Sequence, residues 1–551
     1  MTGAGQSRRR ALALRTGAAL LILAAAGGVA RGEPLPGLLD RREVARARAE
    51  AAEQKRDAQR AVRESARALG YSDREIARVL QPAMERSGSF QTRLDDGTVI
   101  EFPWYRTGFA ENRLSNTGKR IDRDASGAAV RMETNKGGVR LHHGVFADEV
   151  YALALKMDVK LAITGDAIEG HSVRGAKGGI GAGRVIKVGS RYKARVGDLV
   201  DPASPALDRQ HLMRSFARSY RASGGEVGPG LDIQAGDVNT KAREMKTLAE
   251  SYGSRRAPSA GVSGKEVITR PGGEVDPRGG IAYRSVSTGE GVWMSARLAA
   301  RRAGVKLRGA TVVAQGWGEV GRAFGMAAVK DGARVIAVQN LWTVNGKKVA
   351  GTLLHPRGAE ATPREVRAWL ADIDAAVSSG QDLASFKGGV LEKTLRPGLD
   401  ASQVRADIVG LNALGSVLTE ETVPQYVRSG THAGGRKVIV EGANLAQTAG
   451  GARLIDQNAR SMLVVSGELA NIGGVHVSNL EAVQNLYSEE VTSKTARRSL
   501  SNTMRSGFRR AMEIADTRGV SERAAIELAA VDALMKRSLQ RQDAPRRSLE
   551  R

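Results

Sequence analysis

The spacing of apolar and polar residues predicts helices early in the chain and a hairpin after them. Residues 40–81 are a dense mixture of Arg, Ala and Glu with no glycine before Gly70, which indicates one or two helices with charged faces. Alternating residues at 90–94 and 98–102 flank an Asp-Asp-Gly turn, the pattern of a β-hairpin. A further helix is predicted over 147–163, because its apolar residues recur at helical spacing.

The second half of the chain alternates between short apolar strands and amphipathic helices. This alternation extends over 288–441 and predicts a parallel sheet with crossover helices. The stretch 488–542 is helical again. The order is therefore a mixed domain, a βαβ domain and a helical return that packs on the first domain, which leaves a cleft between the two domains.

A glycine-rich turn lies inside one complete β-turn-helix-β unit. The apolar strand 310–315 leads directly into Gly-Trp-Gly-Glu-Val-Gly at 316–321, a helix follows over 322–330, and 333–338 reads as a second strand. Glycines let the backbone turn tightly and approach a pyrophosphate, which unpaired N–H groups and the helix dipole attract to the helix N-terminus. This context predicts a dinucleotide site.

The end of the second strand bears on the choice between NAD and NADP. A carboxylate there would accept the ribose hydroxyls, but the strand ends in Gln339-Asn340. Without that carboxylate a 2′-phosphate is not repelled, and Lys347 and Lys348 follow to receive one. The sequence thus favours NADP and leaves NAD open.

The charge balance indicates an anionic partner. The 551 residues include 84 Lys and Arg against 59 Asp and Glu, a formal net charge of +25. Either a nucleic acid or an anionic substrate and cofactor fits such an excess. The basic residues are spread through helical stretches without interleaved aromatic residues, which argues against nucleic-acid binding and favours the enzyme.

The inventory of metal-binding and redox-active side chains is short. The sequence has no cysteine, which excludes disulfides and thiolate chemistry. Its seven histidines show no ligand spacing, and the adjacent His142 and His143 are expected to point apart on a strand. No metal site is predicted.

The N-terminus has the layout of a targeting segment. Three arginines at 8–10 precede a mostly apolar stretch at 16–30, with no acidic residue before Glu33. An export signal, an Arg-rich organellar transit segment and a start codon placed too early all fit. The stretch is short for a membrane span, so no membrane partner is expected. The expected compartment is the cytoplasm or an organelle, either mitochondrion or plastid.

A set of motifs occurs in a characteristic order between about 95 and 542. These are Lys-Gly-Gly-Val-Arg at 136–140, Ala-Lys-Gly-Gly at 176–179, Gly-Pro-Gly-Leu-Asp-Ile-Gln-Ala-Gly-Asp at 228–237, Ser-Thr-Gly-Glu-Gly-Val at 287–292, Val-Glu-Gly-Ala-Asn at 440–444 and Leu-Ala-Asn-Ile-Gly-Gly-Val at 469–475. Together they resemble the Glu/Leu/Phe/Val dehydrogenase family, and its glutamate-specific members in particular. The resemblance covers most of the chain.

The resemblance implies an α/β fold of two main domains, a mixed α/β substrate domain and a Rossmann-like dinucleotide-binding domain. The expected boundaries are a targeting-like segment at 1–31, a helical extension at 32–85, a substrate-binding and dimerisation domain at 86–285, a Rossmann domain at 286–470 and a C-terminal helical return at 471–551. Members of the family are usually oligomeric, most often hexameric, so a homo-oligomer is expected.

The resemblance also implies roles for individual residues. Lys177 matches the catalytic lysine, whose ammonium would polarise the substrate carbonyl and activate water, and Asp237 matches the proton shuttle. Lys160 matches the lysine that binds the substrate α-carboxylate. Lys136 and Ser478 match the pair that holds the side-chain carboxylate of glutamate, and a buried cation without an anionic partner would be costly. This pair argues for glutamate and 2-oxoglutarate.

The remaining matching positions fall into a substrate-binding and a cofactor-binding group. The substrate-binding group is Gly137, Gly138, Ala235 and Val475. The cofactor-binding group is Arg284, Thr288, Gly316, Trp317, Gly318, Glu319, Val320, Asn340, Asn444 and Asn471. The implied activity is the reversible, NAD(P)-dependent oxidative deamination of L-glutamate to 2-oxoglutarate and ammonia, with no nucleic-acid partner.

Several positions depart from the family pattern. The loop over 160–177 is longer than in typical members and lacks their Pro and triple Gly, and Arg174 stands where the first of those glycines would be. Gln234 replaces a common proline, and Leu-Asn at 411–412 stands where Pro-Ala is usual. A leucine, phenylalanine or valine dehydrogenase of the same family, or an inactive member with a binding role, therefore remains an alternative.

Overall fold

The computed structural model describes residues 33–110, 133–165, 167–168, 171–228, 231–252, 261–413 and 415–539. The targeting-like segment 1–31, residues 229–230 of one motif and the last twelve positions of the predicted helical return lie outside the described residues. The helices of the described part are α1 Arg41–Ala68, α2 Asp73–Val79, α3 Ala147–Thr164, α4 Arg209–Ala222, α5 Ala242–Tyr252, α6 Arg284–Arg302, α7 Glu319–Lys330, α8 Pro363–Ser379, α9 Val423–Ser429, α10 Ala449–Gln457, α11 Gly467–Ala470, α12 Gly473–Tyr487, α13 Ser493–Arg518 and α14 Glu522–Leu539.

The strands of the same residues are β1 Leu38–Leu39, β2 Met84–Arg93, β3 Val99–Gly108, β4 Glu133–Leu141, β5 Ala167–Ile168, β6 His171–Ile180, β7 Gly183–Lys187, β8 Leu199–Val200, β9 Asp232–Gly236, β10 Val262–Ser263, β11 Ile268–Thr269, β12 Val275–Asp276, β13 Thr311–Gln315, β14 Arg334–Val344, β15 Lys347–Leu354, β16 Leu395–Pro397, β17 Ile408–Leu411, β18 Lys437–Glu441 and β19 Met462–Val465.

The N-terminal helical prediction is confirmed as two helices. The Asp40 side chain accepts from the backbone N–H of Arg42 and caps α1. Gly70, with a φ of +92°, ends the helical conformation after α1 and separates it from α2. Ser72 and Glu75 then form a capping box at the start of α2.

The first sheet is mixed, and its centre consists of parallel strands. Within the described residues it has ten strands in the order β1-β8-β7-β3-β6-β4-β9-β10, with β2 on β3 and β5 on β6. The predicted hairpin is confirmed and is longer than expected, since β2 pairs with β3 from Arg93 opposite Val99 to Met84 opposite Gly108. Strand β4 pairs in parallel with both β6 and β9, and α3 packs on β6.

The second sheet has a parallel core, as predicted, but an antiparallel edge. Its order is β16-β15-β14-β13-β17-β18-β19 in the part of the chain that the structure describes. Strands β14, β13, β17, β18 and β19 are parallel, whereas β15 and β16 run antiparallel. The predicted parallel sheet with crossover helices is present, and the prediction did not include this antiparallel edge. Asn345 and Gly346 both have positive φ and form a tight hairpin, so β14 continues directly into β15.

The carboxyl ends of the parallel strands meet at one edge of this sheet. Gln315 at the end of β13 lies opposite Leu411 at the end of β17, which lies opposite Glu441 at the end of β18. The glycine-rich turn and the loops after β17 and β18 therefore emerge side by side. Ligands bind at such an edge in open α/β sheets.

The C-terminal helices α13 and α14 pack against α3 in the first domain. Arg510 in α13 donates to the backbone carbonyl of Ile163 from 2.6 Å, and Arg537 in α14 donates to that of Leu161 from 3.1 Å. Both acceptors lie in the last turn of α3, where unpaired carbonyls favour cations. The expected packing of the C-terminal helices on the first domain is confirmed.

Two histidines are placed differently from the prediction. His142 and His143 follow the end of β4, and their rings lie 4.2 Å apart instead of pointing to opposite faces. The alternation of a strand does not extend past its last residue, which explains the difference.

Among the described residues no group of three or more acidic or histidine side chains is placed to hold a metal ion, and no helix has the length and apolar character of a membrane span.

Candidate active site

A lysine and an aspartate from neighbouring loops and strands form an ion pair at the centre of the first sheet. Lys177 lies in β6, Asp237 directly follows β9, and their side chains approach to 2.8 Å between Nζ and Oδ2. Both are largely buried, with side-chain exposures of 8% and 14%. Burial lowers the pKa of Lys177, and Asp237 offsets this only in part. The predicted catalytic pair is thus brought together.

Arg140 holds the same carboxylate from the other side. Its Nε lies 3.0 Å from Asp237 Oδ2, and its Nη1 lies 2.5 Å from Glu149 Oε1. Burial raises the pKa of Asp237, but the charges of Lys177 and Arg140 outweigh burial and hold that pKa well below its usual range. Asp237 is therefore a carboxylate in this arrangement, ready to accept a proton. In the sequence Arg140 is part of the Lys-Gly-Gly-Val-Arg motif, and no role was predicted for it.

The two glycines after Lys136 allow three strands to pack without side chains between them. A Cβ on Gly137 would lie 1.5 Å from the carbonyl oxygen of Ala176, and one on Gly138 would lie 2.7 Å from the Cβ of Asp237. Gly138 pairs with Ala235 in β9. The absence of side chains here lets Lys177 and Asp237 approach each other. These three substrate-site predictions thus lie beside the reacting pair.

Lys136 points its ammonium into a buried pocket of hydroxyl groups. Its Nζ donates to Ser263 Oγ from 2.6 Å and to Ser478 Oγ from 2.7 Å, and only 2% of the residue is exposed. No described carboxylate lies within ion-pair distance of this ammonium. Burial lowers the pKa of Lys136 to about 7. The predicted contact between Lys136 and Ser478 is present, and Ser263 is an additional member of the pocket that sequence reasoning missed.

A second lysine closes the far side of this pocket. Lys265 forms a buried ion pair with Glu481 at 2.9 Å, and Glu481 also accepts from the backbone N–H of Gly264 at 2.9 Å. Arg284 packs against Gly264, and its charge helps to lower the pKa of Lys136, behind the larger effect of burial. The predicted cofactor residue Arg284 therefore lies beside the pocket of Lys136. Arg284 lies four residues before Thr288, a predicted cofactor residue, and this closeness in sequence did not indicate that Arg284 lies beside Lys136.

Val475 lies in the first turn of α12, three residues before Ser478. It packs against the small apolar cluster of Leu161, Val173 and Ile233. This contact fixes α12 against the first sheet, so that Ser478 faces Lys136.

Lys160 joins the two domains. Its ammonium donates to the side-chain oxygens of Asn444 and Asn471, the latter at 2.7 Å. Burial lowers the pKa of Lys160 to about 8. Asn444 follows β18 and Asn471 follows α11, so the edge of the second sheet faces the substrate lysines. The two asparagines were predicted as cofactor ligands, and in this structure their oxygens contact a substrate-domain lysine.

The predicted dinucleotide turn is present at the end of β13. Gly316 has φ +89°, and its N–H donates to the carbonyl of Gln339 from 2.7 Å. A Cβ on Gly321 would lie 1.9 Å from the carbonyl oxygen of Gly316, whereas one on Gly318 would have no atom within 4 Å. Gly318 therefore leaves open space in front of the α7 N-terminus, which fits a pyrophosphate group.

The residues around this turn differ in what they can offer a cofactor. Glu319 and Val320 begin α7, where Glu319 is exposed and Val320 is partly buried against the core. The Trp317 side chain is buried under α7 and donates to Asp374 from 2.8 Å, so only its backbone can face a ligand. Thr288 lies in α6 with its hydroxyl against Gly474, where a Cβ would come within 2.6 Å.

Lys347 and Lys348, the lysines expected to receive a 2′-phosphate, lie at the start of β15, on the far side of the hairpin turn from Asn340. Lys348 lies opposite Thr343 in the hairpin and donates to its hydroxyl from 2.7 Å. Asn340 lies three residues away along the strand, about 10 Å. The nearer charge is a carboxylate from another segment, since Asp400 Oδ2 accepts from Gln339 Nε2 at 2.8 Å.

Comparison with known proteins finds similar sequences and similar folds. The model of the family Glutamate/Leucine/Phenylalanine/Valine dehydrogenase matches residues 279–541. Glutamate dehydrogenase of Thermotoga maritima is 28% identical over 490 residues, which cover 86% of this chain and 95% of the relative. NAD-specific glutamate dehydrogenase of Staphylococcus aureus is 26% identical over 446 residues, which cover 80% and 87%.

The solved structures agree at the level of the fold. Hetero-hexameric glutamate dehydrogenase from Thermus thermophilus, in its Leu-bound form, superposes with a TM-score of 0.62 at 23% identity and covers 87% of this chain and 94% of that chain. The family model and the relatives indicate the glutamate/leucine/phenylalanine/valine dehydrogenase family for this chain.

Proposed function

We propose that this protein catalyses the reversible oxidative deamination of L-glutamate to 2-oxoglutarate and ammonia with a nicotinamide dinucleotide. The observation that carries the choice of substrate is the buried ammonium of Lys136, whose described partners are the hydroxyls of Ser263 and Ser478. An ammonium so placed loses its hydration without an anion within ion-pair distance, and the more distant charge of Glu481 offsets only part of that cost. A second carboxylate on the substrate supplies that anion.

The same observation argues against a leucine, phenylalanine or valine dehydrogenase. An aliphatic or aromatic substrate side chain would leave the Lys136 ammonium and two hydroxyls without a polar partner inside the site. Sites built to hydrogen-bond a substrate group reject analogues that lack it far more strongly than apolar pockets reject size differences.

The reaction needs a proton acceptor and a group that polarises a carbonyl. A bound nicotinamide supplies or accepts the hydride at the substrate α-carbon. The Lys177 ammonium donates a hydrogen bond to the substrate carbonyl or to the attacking water, and its pKa is lowered by burial. Asp237, ionised beside Lys177 and Arg140, accepts the proton that ammonia releases. Lys160 binds the α-carboxylate once its contacts with Asn444 and Asn471 give way.

The finer choice of cofactor follows from the carboxylate beside Gln339. Asp400 places a negative charge next to the strand end where a 2′-phosphate would lie, while Lys347 and Lys348 lie farther along the hairpin. We therefore propose a preference for NAD over NADP. The oligomer expected from the family is a homo-oligomer of this chain.

The decisive experiment follows the absorbance of NADH with 2-oxoglutarate and ammonia, and repeats the assay with NADPH. We expect turnover that falls by at least about a hundredfold in Lys177→Ala, because general acid–base and electrostatic contributions are of that size. Lys306→Ala, which removes an exposed lysine distant from the pair, is the matched control. Turnover only with the oxo acids of leucine or phenylalanine would overturn the proposed substrate.

A further inference from the structure

Arg174 occupies a buried position where the family resemblance leads us to expect a glycine. Its guanidinium donates to the two oxygens of Asp158 from 2.8 and 2.6 Å, and to Glu133 from 3.2 Å. The exposures of the three residues are 4%, 0% and 1%. Asp158 also accepts from the backbone N–H of Gly175 at 2.7 Å. A fork-shaped pair of this kind fixes orientation as well as distance.

Each member of this ion-pair network lies a few residues before one of the three buried lysines of the site. The pairs are Glu133 and Lys136 in β4, Asp158 and Lys160 in α3, and Arg174 and Lys177 in β6. The network thus connects β4, α3 and β6, the three elements that carry these lysines.

The backbones around the network are packed too closely to move independently. A Cβ on Gly175 would lie 2.1 Å from the backbone nitrogen of Asp158, so α3 and β6 are in direct contact. On the other side of β6, Gly137 of β4 has the carbonyl of Ala176 at the position of its missing Cβ. A displacement of any one element would be transmitted to the others.

We infer that Arg174 is a positioning residue, and that its ion pairs with Asp158 and Glu133 set the relative placement of Lys136, Lys160 and Lys177. The inference rests on the proposed function, because it concerns the lysines that bind and activate the substrate. Breaking a buried pair costs stability wherever it lies, whereas displacing reacting groups by a fraction of an ångström also costs rate. The two effects can be separated.

The network has two arms whose loss should give different kinetic results. Glu133→Gln weakens the arm to β4, which carries the lysine for the second carboxylate. We expect kcat/KM for 2-oxoglutarate to fall at least about tenfold, and that for 2-oxopentanoate, which lacks the second carboxylate, to fall several-fold less, because a displacement of β4 reaches Lys177 only through its packing on β6. Asp158→Asn weakens the arm to α3, which carries the lysine for the α-carboxylate. This variant should lose about tenfold or more with both substrates.

Arg174→Lys keeps the charge and loses the fork, so it should fold and lose rate with both substrates. Arg436→Lys is the matched control, because Arg436 makes a comparable two-pronged pair with Glu522 outside the site. We expect the control to lower the melting temperature without changing either kcat/KM. Calorimetric titration of glutarate gives a second reading, and Glu133→Gln should weaken glutarate binding at least about tenfold.

The outcomes separate the two proposals. A wild-type enzyme that turns over 2-oxoglutarate, with variants that change only the melting temperature as Arg436→Lys does, overturns the positioning role and leaves the function intact. Equal losses on both substrates in Glu133→Gln also overturn it. A wild-type protein without turnover overturns the proposed function, and glutarate binding that is the same in wild type and Glu133→Gln then overturns the positioning role separately.

Discussion

The Lys177 ammonium and the Asp237 carboxylate approach to 2.8 Å, although the residues lie sixty positions apart, one in β6 and the other directly after β9. Because Arg140 contacts the same carboxylate, two cations share one anion. Asp237 is therefore kept ionised, so that in the proposed reaction it can take up a proton from the attacking ammonia without first losing one of its own.

Replacing Arg140 should make this ionisation visible in the pH dependence of the rate. Without the guanidinium the pKa of Asp237 rises, because burial then opposes the charged form with only Lys177 to counter it. Activity that needs the carboxylate is present above that pKa and lost as pH falls through it. We expect the acid limb of kcat/KM in Arg140→Lys and Arg140→Met to move upward, by about one pH unit or more in Arg140→Met.

Arg184→Met serves as the control for this measurement. Arg184 is an exposed residue of the same sheet, and its Nη2 lies 3.7 Å from Oε2 of Glu101. Its pH profile should match that of the wild type. An Arg140→Met enzyme that folds, turns over and keeps the wild-type acid limb would refute the role assigned to Arg140.

The Lys136 pocket predicts a pH dependence of substrate affinity with the opposite sign. In the free enzyme burial lowers the pKa of Lys136 to about 7, and a bound carboxylate raises it. Affinity is therefore full below about pH 7 and is lost as pH rises toward the pKa of the complex. We expect KM for 2-oxoglutarate to rise up to about tenfold per pH unit above 7, measured at saturating ammonia.

Lys136→Met tests the same pocket without relying on titration. Losing the buried cation should raise KM for 2-oxoglutarate at pH 7 by about thirtyfold or more and abolish its pH dependence. The substrate 2-oxopentanoate is the internal control, since its KM should not rise. A variant with the wild-type pH slope would show that another group titrates.

Local signals allowed the sequence to predict most elements near the site. The Asp-Asp-Gly turn between β2 and β3 and the glycine-rich turn after β13 each depend on residues that are adjacent in the chain. The hairpin of β14 and β15 carries an equally local signal in Asn345 and Gly346. The predicted parallel sheet with crossover helices did not include this antiparallel edge, on which Lys347 and Lys348 lie.

Long-range contacts were out of reach without the fold. Lys136 contacts Ser263 and Ser478 across 127 and 342 positions, and Ser263 lies in no motif. The family resemblance supplied Ser478 but not Ser263. In the sequence Arg174 appears only as a departure from the family pattern, because its role depends on two carboxylates from other elements that contact it in the core.

Two glycines of the cofactor turn should respond differently to the same substitution. In Gly318→Ala the new Cβ meets no atom within 4 Å, so the melting temperature should stay near the wild-type value while KM for the cofactor rises, because the methyl group occupies space that a pyrophosphate needs. In Gly316→Ala the backbone at φ +89° is strained and the Cβ would lie 2.8 Å from the nitrogen of Ala413. We expect a loss of about 1–3 kcal/mol in the free energy of unfolding.

Thermal denaturation and cofactor titration of both variants distinguish these effects. Unchanged KM for NADH in Gly318→Ala would mean that the cofactor does not approach this turn, and the dinucleotide assignment of 316–321 would have to be abandoned.

The carboxylate of Asp400 should decide between the two cofactors. Asp400→Asn retains the cap on Ser402 through its amide oxygen and removes the negative charge, so repulsion of a 2′-phosphate falls, although its amide nitrogen no longer accepts from Gln339. The ratio of kcat/KM for NADPH to that for NADH should rise by roughly five- to tenfold, the size of one partly exposed charge interaction. Asp382→Asn is the control, because Asp382 accepts from Asn345 and Gly346 at the far end of the same hairpin. If the ratio changes equally in both variants, the preference arises from the hairpin and not from the charge at position 400.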